Sequence, residues 1–181
     1  MLFRSRKQVG TFLTQVRRTP FLRQRLGGVG ALDSAGSGGM YGPIVRADGR
    51  PEDARAVDAA YQQLGFGPLV EHGADARARC WLRMAEIEQS LDLVLAASAE
   101  GATSLPIVSD ASGVGYAIVE TPRGTASMTA TLADGQINSV EIRTPSSAHV
   151  SFVEHVAIGR ELSNALVGVA SLDLSPWELD R

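Results

Sequence analysis

The sequence predicts an α+β domain, and three observations carry the prediction. Residues 75–99 repeat their apolar side chains at helical spacing. Residues 114–143 form short alternating segments separated by turn residues. Residues 151–172 return to a helical, mostly apolar pattern. A block of period two between helical periods places a long helix, a three-stranded antiparallel meander and carboxy-terminal helices in that order. With 181 residues and 44% hydrophobic content, the chain is long enough for one domain with its own core.

Residues 1–30 form a basic segment, predicted to be helical, ahead of a domain over residues 31–181. Arg4, Arg6, Lys7, Arg17, Arg18, Arg23 and Arg25 all precede the first acid, Asp33. Phe12, Leu13, Val16, Phe21 and Leu22 give the segment an apolar side, and Pro20 interrupts it by removing a helical donor. Arginine-rich, acid-poor segments serve as transit peptides or meet phosphates and anionic lipid. The favoured reading is a solvated or partner-facing helix. Gly27, Gly28, Gly30, Gly36, Gly38, Gly39 and Gly42 then crowd one region. A dinucleotide loop needs a strand before it and a helix after it. Here the preceding segment is arginine-rich and Pro43 follows, so turns with close backbone approach are predicted instead.

In the helix over residues 75–99, Cys80, Met84, Ile87, Leu91 and Val94 share one face, and Gly101 marks its end. Gly113 is assigned to a loose connection. The strands are residues 114–120, 125–132 and 137–143. Pro122-Arg123-Gly124 turns the first into the second, and Asp134-Gly135 is a tight-hairpin signal because both positions need positive φ. Alternation puts Tyr116, Ile118 and Glu120 on one side of the first strand, and Asn138, Val140 and Ile142 on one face of the third. Thr144-Pro145 ends the sheet. Gly159 divides the last helical stretch, whose second part carries Leu162, Leu166 and Val169.

Composition excludes several functions. A net charge of −3 speaks against a nucleic-acid binder. No window reaches the roughly 18 uninterrupted apolar residues of a membrane-spanning helix. Cys80 is the one cysteine, which excludes an internal disulfide and a multi-cysteine cluster site within the chain and fits a reducing compartment. His149 and His155 are six apart and do not share a helical face, so a structural role for His149 is favoured over a metal site.

Ordered motifs run through nearly the whole chain. They are residues 20–30, Gly42-Pro43-Ile44-Val45-Arg46-Ala47-Asp48-Gly49, Asp53-Ala54-Arg55, residues 61–66, and the helix with Arg79, Arg83, Glu86 and Ser90. Glu120-Thr121-Pro122-Arg123-Gly124, Arg143-Thr144-Pro145-Ser146 and the tail from Ser171 to Arg181 complete the series. In this order and spacing the chain resembles the carboxy-terminal half of one family. That family joins the D-type subunit of complex I, the NADH:quinone oxidoreductase, with the large subunits of nickel–iron energy-converting hydrogenases. Three positions depart from its pattern: Thr125 stands for an acid, Asn164 for an aspartate and Leu174 for a proline. In the family's tail two cysteines hold nickel and iron. Aligned on Asp173 and Arg181, their positions fall on Ser175 and Glu178. A hydroxyl and one carboxylate do not replace a thiolate pair for a soft metal, so no metal is expected on this chain.

The resemblance implies a component of a membrane-associated electron-transfer assembly. It would lie cytoplasmic and peripheral on the inner face of the cell membrane, and serve transfer from NADH to quinone without catalysing anything alone. Quinone and an iron–sulfur cluster held by a partner are implied, with no cofactor on this chain. The implied partners are the small iron–sulfur subunit, a Rieske-like accessory subunit, membrane subunits and a separate amino-terminal half. Nucleic acid is not among them. The histidine and tyrosine that the resemblance associates with the quinone head belong to the half not matched here. Asp173, Glu178, Asp180 and Arg181 have two readings: a tail folded back onto the quinone or cluster interface, or a solvated tail with a local salt bridge. Arg46, Arg83 and Glu86 are read as a structural ion-pair network. Two other functional readings stand beside this one: a metal-free scaffold or assembly protein, and an incomplete fragment without independent activity, since Met1 falls inside the family domain.

Overall fold

Two helices open the chain because Pro20 has no N–H to continue the first and takes the opening position of the second. They are α1, Leu2–Arg18, and α2, Pro20–Leu26. The computed structural model describes residues 2–32, 42–100 and 111–179. Gly36, Gly38, Gly39, Gly101, Asp180 and Arg181 lie outside the described residues. Short elements follow: α3, Pro43–Arg46; a 3-10 turn, Ala54–Val57; and α4, Ala59–Gln63. The long helix is α5, Ala76–Glu100. α1 runs antiparallel along it. Arg6 grips Asp92 at 2.5 and 2.9 Å, and Arg17 donates to the Trp81 carbonyl at 2.8 Å. Leu13 is buried, whereas Phe12 and Phe21 of the expected apolar side stand exposed.

Asp75 caps α5. One carboxylate oxygen accepts from the Ala78 amide at 2.8 Å and the other from the Gly28 amide at 2.7 Å, so the cap also ties down the glycine turn before it. The helix does not bury the face expected from its apolar stripe. Ala76, Ala78, Arg79, Leu82 and Glu86 are buried, while Ile87 and Val94 are about half exposed. Small side chains on the buried face let the helix approach its neighbours, and its two charged members find partners inside.

The sheet is the expected meander, in order β1-β2-β3: β1, Gly113–Thr121; β2, Gly124–Ala133; β3, Gln136–Arg143. Asp134 and Gly135 both take positive φ, 51° and 74°, as a tight hairpin of this hand requires. Two details differ from expectation. Gly113 opens β1 with φ of 144°, a glycine conformation rather than a loose connection. A register shift at Thr131/Leu132 brings Ile137, not Asn138, opposite Leu132. The face formed by Ala117, Val119, Ala126, Met128, Ala130, Leu132, Ile137, Val140 and Ile142 therefore carries no charge. Val119, Met128, Ile137, Val140 and Ile142 on it are exposed.

The carboxy-terminal part forms α6, Pro145–His149; α7, Phe152–Ala157; α8, Leu162–Ser171; and α9, Pro176–Leu179. Gly159, with φ of 70°, divides α7 from α8 as expected. Leu162 and Leu166 face outward; α8 instead buries Gly168 and packs Val169 inward. One core gathers Leu32, Ile44, Phe152, Val156 and Leu172; a second joins Ala47, Ala78 and Leu82. Two glycines make these junctions possible. A Cβ on Gly30 would lie 2.8 Å from Gly168 Cα, and one on Gly42 would lie 2.6 Å from Gly124 Cα. The close backbone approach predicted for the glycine region is thus real at both positions.

Candidate functional site

Arg46 occupies a place where water cannot solvate it. It ends α3 on a chain turned inward by Gly42-Pro43, and its side chain is fully buried. Three carboxylates from separate elements meet it. Asp53, before the 3-10 turn, lies at 3.0 Å; Glu86 of α5 at 2.8 Å; Glu120, near the end of β1, at 2.8 Å. The Nε donates to Glu86 at 2.9 Å and Nη1 also reaches the Glu52 carbonyl at 3.1 Å. Nη2 is close to Glu86 but off the direction of a hydrogen bond. Burying this many charges is tolerable only because each is paired and hydrogen-bonded.

Arg55 completes the centre. It grips Asp53 at 2.7 and 2.9 Å, and its guanidinium lies 4.5 Å from the centroid of the Phe66 ring. Thr125 donates to the second oxygen of Glu120 at 2.9 Å. Two guanidinium groups and three carboxylates leave the centre one negative charge in excess. Burial resists ionisation of Asp53, but the hydrogen bond from Arg55 and the charge of Arg46 outweigh it and hold Asp53 below its usual value. Burial pushes Glu86 up, against the pull of Arg46.

These directions have opposite consequences for stability. Asp53 contributes stability above pH 3.8 that is lost as the pH falls through its lowered value. Glu86 costs more to ionise in the folded chain, so its contribution falls as the pH rises from 4.5 through its raised value. Glu86→Gln is therefore expected to leave stability at pH 7 within about 1 kcal/mol of the parent, because it removes the excess charge and keeps an acceptor for Arg46. Denaturant melts across pH 4 to 8 check this; a loss of several kcal/mol at pH 7 would show that the ionised form is needed.

A second polar group lies at the tail. Arg79, fully buried, donates to the Gly30 carbonyl at 2.6 Å, the Ala74 carbonyl at 2.7 Å and Ser171 Oγ at 2.7 Å. Burial, then the charge of Arg83, lowers its pKa to about 10. One turn along α5, Arg83 donates to the Ser171 carbonyl at 2.9 Å. The two cations thus sit at the carboxy end of α8, where the helix dipole favours them.

Asp173 follows with φ of 57°. Its carboxylate lies 3.6 Å from Arg123 and 3.8 Å from Arg83, and Arg123 also donates to its carbonyl at 3.0 Å. This pair is half-exposed rather than buried. Glu178 shares the same cation, with one carboxylate oxygen 3.7 Å from Arg123. Its carboxylate accepts from the Ser146 amide at 3.1 Å and hydroxyl at 2.5 Å, while Ser146 Oγ accepts from the Ser175 amide at 3.0 Å. The tail through residue 179 is folded against the start of α6, with Thr144 Oγ1 donating to the Glu178 carbonyl at 3.0 Å.

The structure joins Arg46 to Glu86 and sends Arg83 to the tail instead. Asp53, Arg55, Glu120, Arg123 and Ser146 were not singled out from the sequence, although all five sit inside the motifs that carried the resemblance. Between the two groups opens a cleft of about 620 Å³, lined by Arg55, Arg83, Glu86 and Asp173 on one side and by Ile87, Leu91, Val94 and Pro122 on another. His149 is buried beside Phe152, and His155 is exposed. Among the described residues no three His, Cys, Asp or Glu side chains are grouped to hold a metal ion, and no helix is long and apolar enough to cross a membrane.

Comparison with known proteins places the motifs in one family. The family model described as respiratory-chain NADH dehydrogenase, 49 Kd subunit, matches residues 1–112. The chain is 29% identical over 99% of its length to the D-type NADH-quinone oxidoreductase subunit of Desulfotalea psychrophila, covering 52% of that protein. It is 33% identical over 88% of its length to the D-type subunit numbered 2 of the same enzyme in Opitutus terrae, covering 43% of it. The D-type subunit of the F(420)H(2) dehydrogenase of Methanosarcina mazei is 29% identical over 88% of the chain, which covers 47% of that relative. The chain belongs to the 49-kDa, or D-type, subunit family of the NADH-quinone oxidoreductases. It spans about half the length of these curated relatives.

Proposed function

We propose that this chain is a non-metal-binding part of a membrane-associated NADH:quinone oxidoreductase assembly, passing electrons toward quinone only in the company of its partners. The observation that carries the reading is the match of family and relatives along the chain. The partners are a small iron–sulfur subunit, a Rieske-like accessory subunit, membrane subunits and a polypeptide equivalent to the other half of the relatives. The chain would lie peripherally on the cytoplasmic face of the membrane. Tagged protein purified from its own membranes in mild detergent is expected to bring down the iron–sulfur and membrane subunits with NADH-dependent quinone reduction. Recovery of the chain alone, without that activity, would favour a scaffold.

The tail supports the metal-free part of the proposal. Ser175 and Glu178 stand where the resemblance puts the metal-holding cysteines, and both are engaged by Ser146. A serine hydroxyl, together with a carboxylate already accepting from the Ser146 hydroxyl and amide, does not fit nickel or iron, which favour thiolate. Elemental analysis of anaerobically purified protein is expected to find no stoichiometric nickel or iron. One tightly held nickel per chain would overturn this reading of the tail. Asp173, Glu178, Asp180 and Arg181 remain the proposed contribution of this half to the quinone or cluster interface; Asp180 and Arg181 lie outside the described residues.

A further inference from the structure

Of the three carboxylates around Arg46, one has an open side. The side chains of Asp53 and Glu120 are 0% exposed, whereas that of Glu86 is 10% exposed and lines the cleft. Among the described residues, the charged groups facing Glu86 come from every element packed around it. Arg46 of α3 lies at 2.8 Å and Arg55 of the 3-10 turn at 3.9 Å. Asp53, ahead of that turn, adds a negative charge that opposes its ionisation. Glu120 of β1 and Asp173 of the tail share the cleft wall with it. Arg83, one turn earlier on α5, is drawn away to the Ser171 carbonyl and Asp173. The centre therefore keeps one negative charge that no cation matches, and only a proton or water can relieve it. Asp53 and Glu120 are sealed from both, so the exchange falls to Glu86.

We propose that one proton on Glu86 closes the polar end of the cleft, and that its loss opens this end to water. With the proton, Glu86 is an uncharged acceptor for the Arg46 Nε–H, which reaches it at 2.9 Å. Without it, a buried carboxylate lowers its cost by gaining water, and the cleft is the one side that can supply it. Thr121 and Pro122, at the turn between β1 and β2, form that end together with α5, so they move off the helix as water enters. The step transfers a proton from Glu86 to water and changes nothing else. Because burial favours the neutral form, the closed state holds from below pH 4.5 up to the raised value of Glu86, and the end opens as the pH rises through it. The ionic centre is then a pH-sensitive fastening between the long helix and the anchored end of the meander.

Carbon-detected NMR of the full chain from pH 4 to pH 8 follows the Glu86 carboxyl. Its midpoint is expected above the ordinary 4.5, and the Leu91 methyl and Thr121 amide signals are expected to shift with the same midpoint. Ile137, at the opposite end of the sheet, is expected not to follow. Glu86→Gln abolishes the response and holds the cleft signals at their acid positions. At pH 8 the Arg46 Nε–H is expected to exchange with water several-fold faster in the parent than in Glu86→Gln, and equally fast in both at pH 4. The parent's own Glu86 signal, assigned through its backbone, gives the midpoint even if the variant fails to fold. A midpoint at or below 4.5 overturns the proposal. So do cleft signals indifferent to the titration of Glu86, equal exchange at Arg46 Nε in both proteins at pH 8, or a response that survives Glu86→Gln and so belongs to another group such as Asp173.

Discussion

Replacing Arg46 with leucine is expected to cost the fold about 3–5 kcal/mol, because it strips three carboxylates of their shared cation in a place they cannot leave. Asp53, Glu86 and Glu120 come from the segment before the 3-10 turn, the long helix and the first strand, so no local rearrangement frees all of them. Arg55 reaches Asp53 at 2.7 Å but lies 3.9 Å from Glu86, too far to take over. The penalty has a sign in pH. Without Arg46, burial is less opposed at Glu86 and Asp53, so the cost grows as the pH rises above their ordinary values of 4.5 and 3.8 and shrinks below about pH 4. Urea unfolding of both proteins at pH 4 and pH 7 measures this. A loss under about 1 kcal/mol at pH 7 would mean that the centre is served by Arg55 alone.

Gly42→Ala is expected to be nearly as damaging, on the order of 3 kcal/mol or more, for a steric reason. Gly42 has φ of 116°, a conformation that side-chain-bearing residues rarely adopt. A Cβ there would also stand 2.6 Å from Gly124 Cα and 3.2 Å from the Arg123 carbonyl. Both obstacles are backbone, so neither can swing aside. Gly65→Ala separates the two costs. Gly65 also has positive φ, 76°, but a Cβ there meets nothing within 4 Å. It is expected to lose only the conformational part, about 1–2 kcal/mol. Equal melting temperatures for the two variants would show that the contact between the Gly42 and Gly124 backbones gives way easily.

How much of this was legible in the sequence follows from the range of the signals. Elements defined by local periodicity were readable. The long helix, the three strands and both turns stand within a residue or two of the expected places, and Asp134-Gly135 does what its chemistry requires. The burial of those elements was not readable, because it depends on what lies across from them. The apolar stripe of α5 named the wrong face: Arg79 and Glu86 are inside, since residues 171, 46 and 30 come to meet them. The same limit applied to the ionic centre. Arg46 and Glu86 were named together, but Asp53 and Glu120 as their companions required the three-dimensional arrangement. The register shift of β3 has no composition signature and moved Ile137 onto the apolar face.

The meander is fastened near one end. Glu120 is anchored on Arg46 and Gly124 is packed on Gly42, whereas Val114, Ile137 and the Asp134-Gly135 turn at the opposite end are exposed. Local opening starts where buried contacts are fewest. Backbone amides should therefore exchange with deuterium in a gradient along each strand, fastest beside Asp134-Gly135 and slowest beside Pro122-Arg123. The sheet would breathe like a page held at its spine, keeping its inner margin fixed on the ionic centre while its outer margin stays free to be ordered by whatever it meets.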